Sequence, residues 1–208
     1  MWVDIQQNTD EWLDMRMGKI GGSAIGKVMA NYGKAFGDPA HREALRIALE
    51  KITGIRNEQK WSNDDLLRGH EQEPLVRSLY QEKYFCEVSN GGYFVFDEYT
   101  GVSPDGLIYD DGIIEIKSVI GPTFFDTIKR NSYDPKYKWQ LWFNLMVSGR
   151  EWIDYVEGCL EFPPGKQLFV QRLTVSDSDC SEMFDMIKNR LFEFKKLIKD
   201  KIEIIGNI

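Results

Sequence analysis

The sequence predicts an α+β fold with a central mixed β-sheet flanked by helices, and three observations carry that reading. Residues 1 to about 84 are punctuated by helix caps and breakers. From 93 to 119 the chain switches to short runs of β-branched and aromatic residues parted by turn residues such as Asp110-Asp111-Gly112. The C-terminal part closes on an apolar stripe of helical period, Phe184, Ile187, Leu191, Phe194 and Ile198, at spacings of 3, 4, 3 and 4. Helices, then strands, then helices and two more strands give a layered α+β arrangement.

Taken in order, Asn8 or Thr9 can cap a short helix carrying Trp12 and Leu13, and Ser23 can cap another through Val28 and Met29. Asp38-Pro39 places a cap before a first-turn proline, opening a helix that runs through Leu45, Ile47, Ala48, Leu49 and Ile52 to Gly54. A fourth helical region, from about Ser62 to Tyr84, contains Gly69 and Pro74 and is expected to kink or restart there. A small meander follows, with strands at Tyr93–Asp97, Thr100–Ser103, Gly106–Tyr109 and Gly112–Val119. Residues 123–130 and 136–148 read as helices, Glu151–Cys159 and Gln167–Val175 as strands, and about 179 to 201 as the final helix.

With 208 residues, 42% of them hydrophobic and 28% charged, the chain can bury a sizeable core as one domain spanning 1–208. No segment approaches the roughly 18 uninterrupted apolar residues of a membrane span, and the N-terminus lacks a basic segment followed by an apolar one. A soluble, cytoplasmic protein is expected. Cys86, Cys159 and Cys180 are too scattered for a zinc or iron–sulfur pattern and read as reduced, packed residues. The net charge of −7 argues against nucleic-acid binding over the whole surface, but it is uneven: residues 1–60 carry 9 Lys/Arg against 8 Asp/Glu. A polyanionic partner would be met by local basic surface or through metal ions held by acids.

The densest polar anomaly is Ser103-Pro104-Asp105-Gly106 followed, ten residues after Asp105, by Glu115-Ile116-Lys117 on an expected strand. Alternation places Ile113, Glu115, Lys117 and Val119 on one face and Ile114 and Ile116 on the other, so the strand is apolar on both faces and internal. Burying two carboxylates and an ammonium there costs several kcal/mol per ion unless they pair or coordinate metal. A buried salt bridge, Glu115–Lys117 or Asp105–Lys117, is one reading. The other is a divalent-metal site, in which the carboxylates supply hard oxygen ligands and the ammonium orients a water or stabilises developing charge.

Several motifs accompany this cluster: Glu11-Trp12-Leu13-x-x-Arg16-x-Gly18-x-Ile20-x-x-Ser23, Gly69-x-x-x-Glu73, Gln140 on an apolar helix, and Val147-Ser148-Gly149-Arg150-Glu151-Trp152. Jointly and in order, from about residue 8 to 158, they resemble the lambda-exonuclease or YqaJ-type viral recombinase family, a branch of the PD-(D/E)XK nucleases. The resemblance implies a restriction-endonuclease-like core. It implies that Asp105, Glu115 and the main-chain carbonyl of Ile116 hold Mg²⁺, with Mn²⁺ as a substitute, that Lys117 acts on the attacking water, and that Glu73 and Gln140 complete the catalytic set. Arg16, Ser23 and Ser103 match positions that hold a terminal 5′-phosphate. Two departures stand out: Trp142 occupies a position where the family often has a second Gln, and Gly21-Gly22 precede the serine where it often has Thr-Ala.

The implied activity is Mg²⁺-dependent 5′-to-3′ digestion of one strand of linear duplex DNA, leaving a 3′ single strand for phage-type recombination. By the same resemblance the partners are double-stranded DNA ends, two further copies in a ring-shaped homotrimer, and a single-strand annealing protein, in a bacterial host cell. A PD-(D/E)XK endonuclease and a catalytically idle DNA-end-binding module are the rival readings. His41 and His70 are too far apart in sequence for a metal cluster and read as surface or packing residues, and Trp139 and Trp142 read as core. Arg16 could instead form a surface ion pair with Asp10 or Glu11. Residues 188–201 hold six Lys/Arg against Glu193 and Asp200, a solvated helix face or a contact stripe.

Overall fold

The computed structural model describes residues 1–57 and 64–208. The expected helix start at Ser62, and the side chain of His70, lie outside the described residues. Among the described residues, eight strands form two sheets: β1 (Trp2–Val3), β3 (Tyr93–Asp97) and β4 (Thr100–Val102) make one, ordered β1-β3-β4. The other, ordered β2-β5-β6-β7-β8, comprises β2 (Ser89–Asn90), β5 (Gly106–Ile108), β6 (Gly112–Ser118), β7 (Trp152–Gly158) and β8 (Leu168–Thr174). The expected meander is thus divided, because the chain leaves one sheet at Val102 and enters the other at Gly106, with Ser103-Pro104-Asp105 between them.

The strand β6 is the middle of the larger sheet. It pairs antiparallel with β5 and parallel with β7 over its whole length, from Gly112↔Trp152 to Ser118↔Gly158. A parallel pair needs a long crossover, which α5 (Gly121–Arg130) and α6 (Lys138–Ser148) supply. Ile114 and Ile116 pack with Val156 against Val76 and Tyr80 of α4 (Asp64–Tyr84). Ile113, Ile153 and Tyr155 face the main core with Leu141, Phe143 and Leu145 of α6. The alternation along β6 therefore aims Glu115 and Lys117 at α6.

Helices α1 (Asp10–Arg16), α2 (Ile25–Met29), α3 (Asp38–Thr53) and α7 (Cys180–Gly206) complete the fold. Thr9 caps α1 as expected, its hydroxyl accepting from Trp12 N. Ser23 caps nothing: it lies in a 3₁₀ turn, Gly22–Ala24, and α2 begins after Ala24 without a side-chain cap. Gly37 rather than Asp38 is the N-cap of α3, leaving Asp38 as an acidic first-turn residue beside Pro39. Pro74 does not break α4, which the burial of Val76 and Tyr80 holds against the sheet. The final helix outruns its expected end because Ile202 and Ile205 continue the stripe onto the core.

The three cysteines are free, with Cys159 and Cys180 buried, and Trp142 is 1% exposed, edge-on to Phe184. No described helix is long and apolar enough to cross a membrane. Arg190, counted in the basic stripe, is not solvated. It is 3% exposed and donates to the carbonyls of Val28, Ala30 and Lys34, closing the C-terminal end of α2.

Where α4 crosses β7, a Cβ on Gly158 would lie 2.5 Å from a methyl of Val76, a stiff β-branched side chain. Gly158→Ala is therefore expected to lower unfolding free energy by about 1 to 3 kcal/mol in urea titrations. Adding Val76→Ala to that variant should cost less than Val76→Ala costs the wild type, since the two changes share one space.

Candidate active site

A cavity of about 730 Å³ opens where β6 meets the N-terminal turn of α6 and the C-terminal end of α1, and both groups of sequence-predicted residues line it. Glu115 is 2% exposed. Its Oε1 accepts from Lys117 Nζ at 2.5 Å and from Gln140 Nε2, and its Oε2 accepts from Asn144 Nδ2 at 2.9 Å. Gln140 and Asn144 stand one helical turn apart, so α6 delivers two amides to one carboxylate. Asn144 was missed in the sequence. The signal was available, as a second amide four residues after Gln140 inside an apolar helix.

Asp105 is fixed by its main chain. Its N–H donates to the Ile114 carbonyl at 3.0 Å, and its Oδ2 accepts from Ile116 N at 2.6 Å. Arg77 Nη2 donates to the Asp105 carbonyl at 2.5 Å and to Glu73 Oε1 at 3.2 Å, so one guanidinium ties α4 to the site. Arg77 too was missed, although its i,i+4 spacing from Glu73 is a pattern readable on any helix. Glu73 lines the cavity, pairs with Arg77 and feels the charge of Asp105.

Burial and then Asp105 push the Glu115 carboxyl up to about 7, against the pull of Lys117. Burial opposes the charge of Lys117, yet Glu115 and Asp105 outweigh it and hold the ammonium above the ordinary lysine range. Burial and Asp105 also raise Glu73. Within the cluster the Lys117 ammonium faces carboxylates that repel one another. Among the described residues no three His, Cys, Asp or Glu side chains form a metal-binding group. A cation would instead find two carboxylates and a main-chain oxygen. In an extended strand a residue's N–H and C=O point to the same edge. The Ile116 N–H meets Asp105 where β5 has already ended, so its carbonyl faces that side as well. These are hard oxygen donors of the kind Mg²⁺ takes, and the donor set fits the ion.

The opposite wall is basic. Arg16, in the last turn of α1, stacks its guanidinium 4.0 Å over the Trp12 ring and has no carboxylate partner among the described residues. The possible partner Asp10 pairs with Arg56. Ser23 is exposed and lines the same cavity. Gly22 makes room for α6: a Cβ there would lie 2.3 Å from Asn144 Oδ1, which accounts for glycine before the serine. Ser103 lines the cavity with its hydroxyl already engaged. It donates to the Gly92 carbonyl at 2.6 Å and accepts from Gln7 Nε2 at 2.8 Å and Trp12 Nε1 at 2.9 Å.

A second cavity of about 530 Å³ adjoins the first and shares Arg16, Gly21, Ser23 and Tyr93 with it. On its wall, Arg46 bonds Glu43 at 2.7 Å, Glu50 at 2.6 Å and the Lys19 carbonyl at 2.9 Å. Glu50 also accepts from Gly18 N at 2.7 Å and Asn57 N at 3.0 Å. The turn after Arg16 is thus clamped to α3.

A family model described as the YqaJ-like viral recombinase domain matches residues 11–151. The fold is similar to LHK-Exo, an alkaline exonuclease from Laribacter hongkongensis, at 26% identity and TM-score 0.78, covering 96% of this chain and 99% of that one. LHK-Exo in complex with dAMP gives 27% identity and TM-score 0.79 over 96% and 99% of the two chains. A phage related exonuclease from Haemophilus somnus 129PT shares the fold, with TM-score 0.67 at 13% identity over 93% and 99%. No curated protein sequence matches significantly.

The clamp makes a clear demand on stability. Glu50 is 4% exposed, and removing it takes one of two carboxylates from Arg46 and the acceptor from two amide protons. Glu50→Ala is expected to cost about 3 to 5 kcal/mol in denaturant unfolding, whereas Asp10→Ala, at an exposed pair, should cost less than about 1 kcal/mol.

Proposed function

Since the chain belongs to the YqaJ-like viral recombinase family, we propose that this cleft is the active site of a Mg²⁺-dependent 5′-to-3′ exonuclease. It degrades one strand of linear duplex DNA from a 5′-phosphorylated end and leaves a 3′ single strand for recombination by strand annealing. The observation that carries this reading is the meeting, in one cavity, of the Asp105–Glu115–Lys117 cluster with an arginine that has no carboxylate partner among the described residues. Structural likeness to an alkaline exonuclease, solved also with dAMP, supports it.

Mg²⁺, or Mn²⁺ in its place, would be held by Asp105, Glu115 and the Ile116 carbonyl, where it would polarise the phosphodiester and acidify water. The protein's own groups do the rest. Lys117, fixed by Glu115, donates to the attacking water and steadies charge that develops on the phosphate oxygens. Gln140 and Asn144 hold Glu115 in one orientation, and Arg77 anchors the main chain at Asp105 and the carboxylate of Glu73. Water adds to phosphorus, the P–O3′ bond breaks, and the departing 3′-oxygen takes up a proton. The shortened strand again carries a 5′-phosphate, so every turnover regenerates the end that Arg16 and Ser23 grip, with Ser103 bracing the wall beside them. A guanidinium fork suits that dianion because it gives two parallel charge-assisted bonds.

In its working assembly the protein is a homotrimeric ring with duplex in its channel, acting beside a single-strand annealing protein in the cytoplasm of a bacterial host. A −7 chain meets DNA favourably only where its basic residues converge, and a closed ring turns them inward.

The deciding assay compares linear duplex, 5′-phosphorylated or not, with closed circular duplex, with and without Mg²⁺. Loss of the linear form alone is expected. Cutting of circles would indicate an endonuclease, and no Mg²⁺-dependent loss a binding module. Asp105→Asn and Glu115→Gln should abolish hydrolysis while leaving circular dichroism and end binding intact. Arg16→Ala should slow digestion of phosphorylated ends by roughly ten- to a hundredfold and leave hydroxyl ends unchanged. Light scattering should give a particle near three times 24.2 kDa, and a monodisperse monomer that digests ends would refute the ring alone.

A further inference from the structure

A terminal phosphate presents three non-bridging oxygens, and the donors facing it are fewer than the motif suggests. Ser103 has one proton, and the Gly92 carbonyl takes it. Arg16 and Ser23 remain. Lining the same cavity is a residue that no motif singled out. Tyr93, on β3, is 2% exposed, and its hydroxyl makes no hydrogen bond among the described residues. It lines both cavities, as Arg16 does. A phenol at the wall of a cavity ordinarily finds a partner for its O–H.

The packing around this hydroxyl is specific. Gly101, on the neighbouring strand β4, would bring a Cβ to 2.3 Å from the Tyr93 oxygen, so the absence of a side chain there is what gives the phenol its place. The phenolic oxygen lies within electrostatic reach of Arg16 and Arg46, which draw its ionisation down, but burial outweighs them and holds it above the ordinary phenol range. At neutral pH the group is a proton donor beside a guanidinium, a combination that repels cations and receives an anion.

We propose that the Tyr93 hydroxyl is a further donor to the terminal 5′-phosphate, acting with Arg16 and Ser23 to set the preference for phosphorylated over hydroxyl ends. The assignment rests on the 5′-phosphate reading of this cavity given above. Tyr93 contacts the phosphate that anchors the strand, not the one that is cleaved, so its role is in specificity.

Tyr93→Phe removes one oxygen and keeps the ring. The test measures kcat/KM on phosphorylated and hydroxyl-ended linear duplex for wild type, Tyr93→Phe and Arg16→Ala, and fluorescence anisotropy binding of both ends without divalent metal. Tyr93→Phe should lower the phosphate-to-hydroxyl ratio by roughly ten- to thirtyfold in kcat/KM, with the hydroxyl end unchanged and the same unfolding midpoint. The binding advantage of the phosphorylated end should shrink in parallel. If Arg16→Ala collapses the ratio and Tyr93→Phe leaves it intact, or slows both ends equally, the Tyr93 assignment is overturned and the phosphate pocket stands. If wild type shows no preference in either measurement, the pocket falls and Tyr93 falls with it.

Discussion

A carboxylate buried on the middle strand of the sheet is the constraint from which the rest of the cleft follows. Glu115 sits at 2% exposure between β5 and β7, where an ion is tolerated only if its lone pairs are met. Lys117 meets it from the same strand and the same face, Gln140 and Asn144 meet it from α6. To bring Asn144 that close, α6 must also approach the turn before α2, and only a residue without a side chain fits at Gly22. One acid thus dictates the amides of one helix, a glycine in a distant turn, and the width of the space between them.

The polar work around this acid is divided between rigid support and open chemistry. Arg77 and Arg46 are spent on the scaffold: the first joins α4 to the Asp105 carbonyl, the second closes the turn after Arg16 against α3. Arg16 and Tyr93 are left facing the cavity. Guanidinium groups of equal charge so do opposite jobs, and what separates them is whether a carboxylate or carbonyl lies within reach.

Much of this was legible in the residues. The alternation of Ile113, Glu115 and Lys117 against Ile114 and Ile116 correctly assigns the two faces of β6, because side-chain direction in a strand is set by backbone geometry alone. The stripe from Phe184 to Ile198 correctly gives α7 its buried face. What the residues did not show depends on pairing across long distances. Trp2–Val3 becomes a strand only because Tyr93–Phe94 lies beside it, and Ser23 fails to cap because the chain tightens into a 3₁₀ turn first. Ser103 looks like an available hydroxyl until Gly92, Gln7 and Trp12 converge on it. Tyr93 reads as an ordinary strand aromatic, and only its close packing on Gly101 and the neighbouring guanidinium mark it out.

The convergence on Ser103 also orders events in time. Gln7 and Trp12 reach it across 96 and 91 residues, and Met1 reaches Val95 across 94. Contacts of such separation carry a large loop-closure cost and form late, after local helices and the hairpin of β5 and β6. The segment that carries Gln7 and Trp12 leaves the ribosome more than ninety residues before its partners emerge. The acidic cluster on β6 can be in place while Arg16 is still adrift. Topology thereby fastens the wall that carries Arg16 only when nearly half the chain has been threaded into register, so a partly folded copy would hold the acidic cluster without the basic wall that faces it.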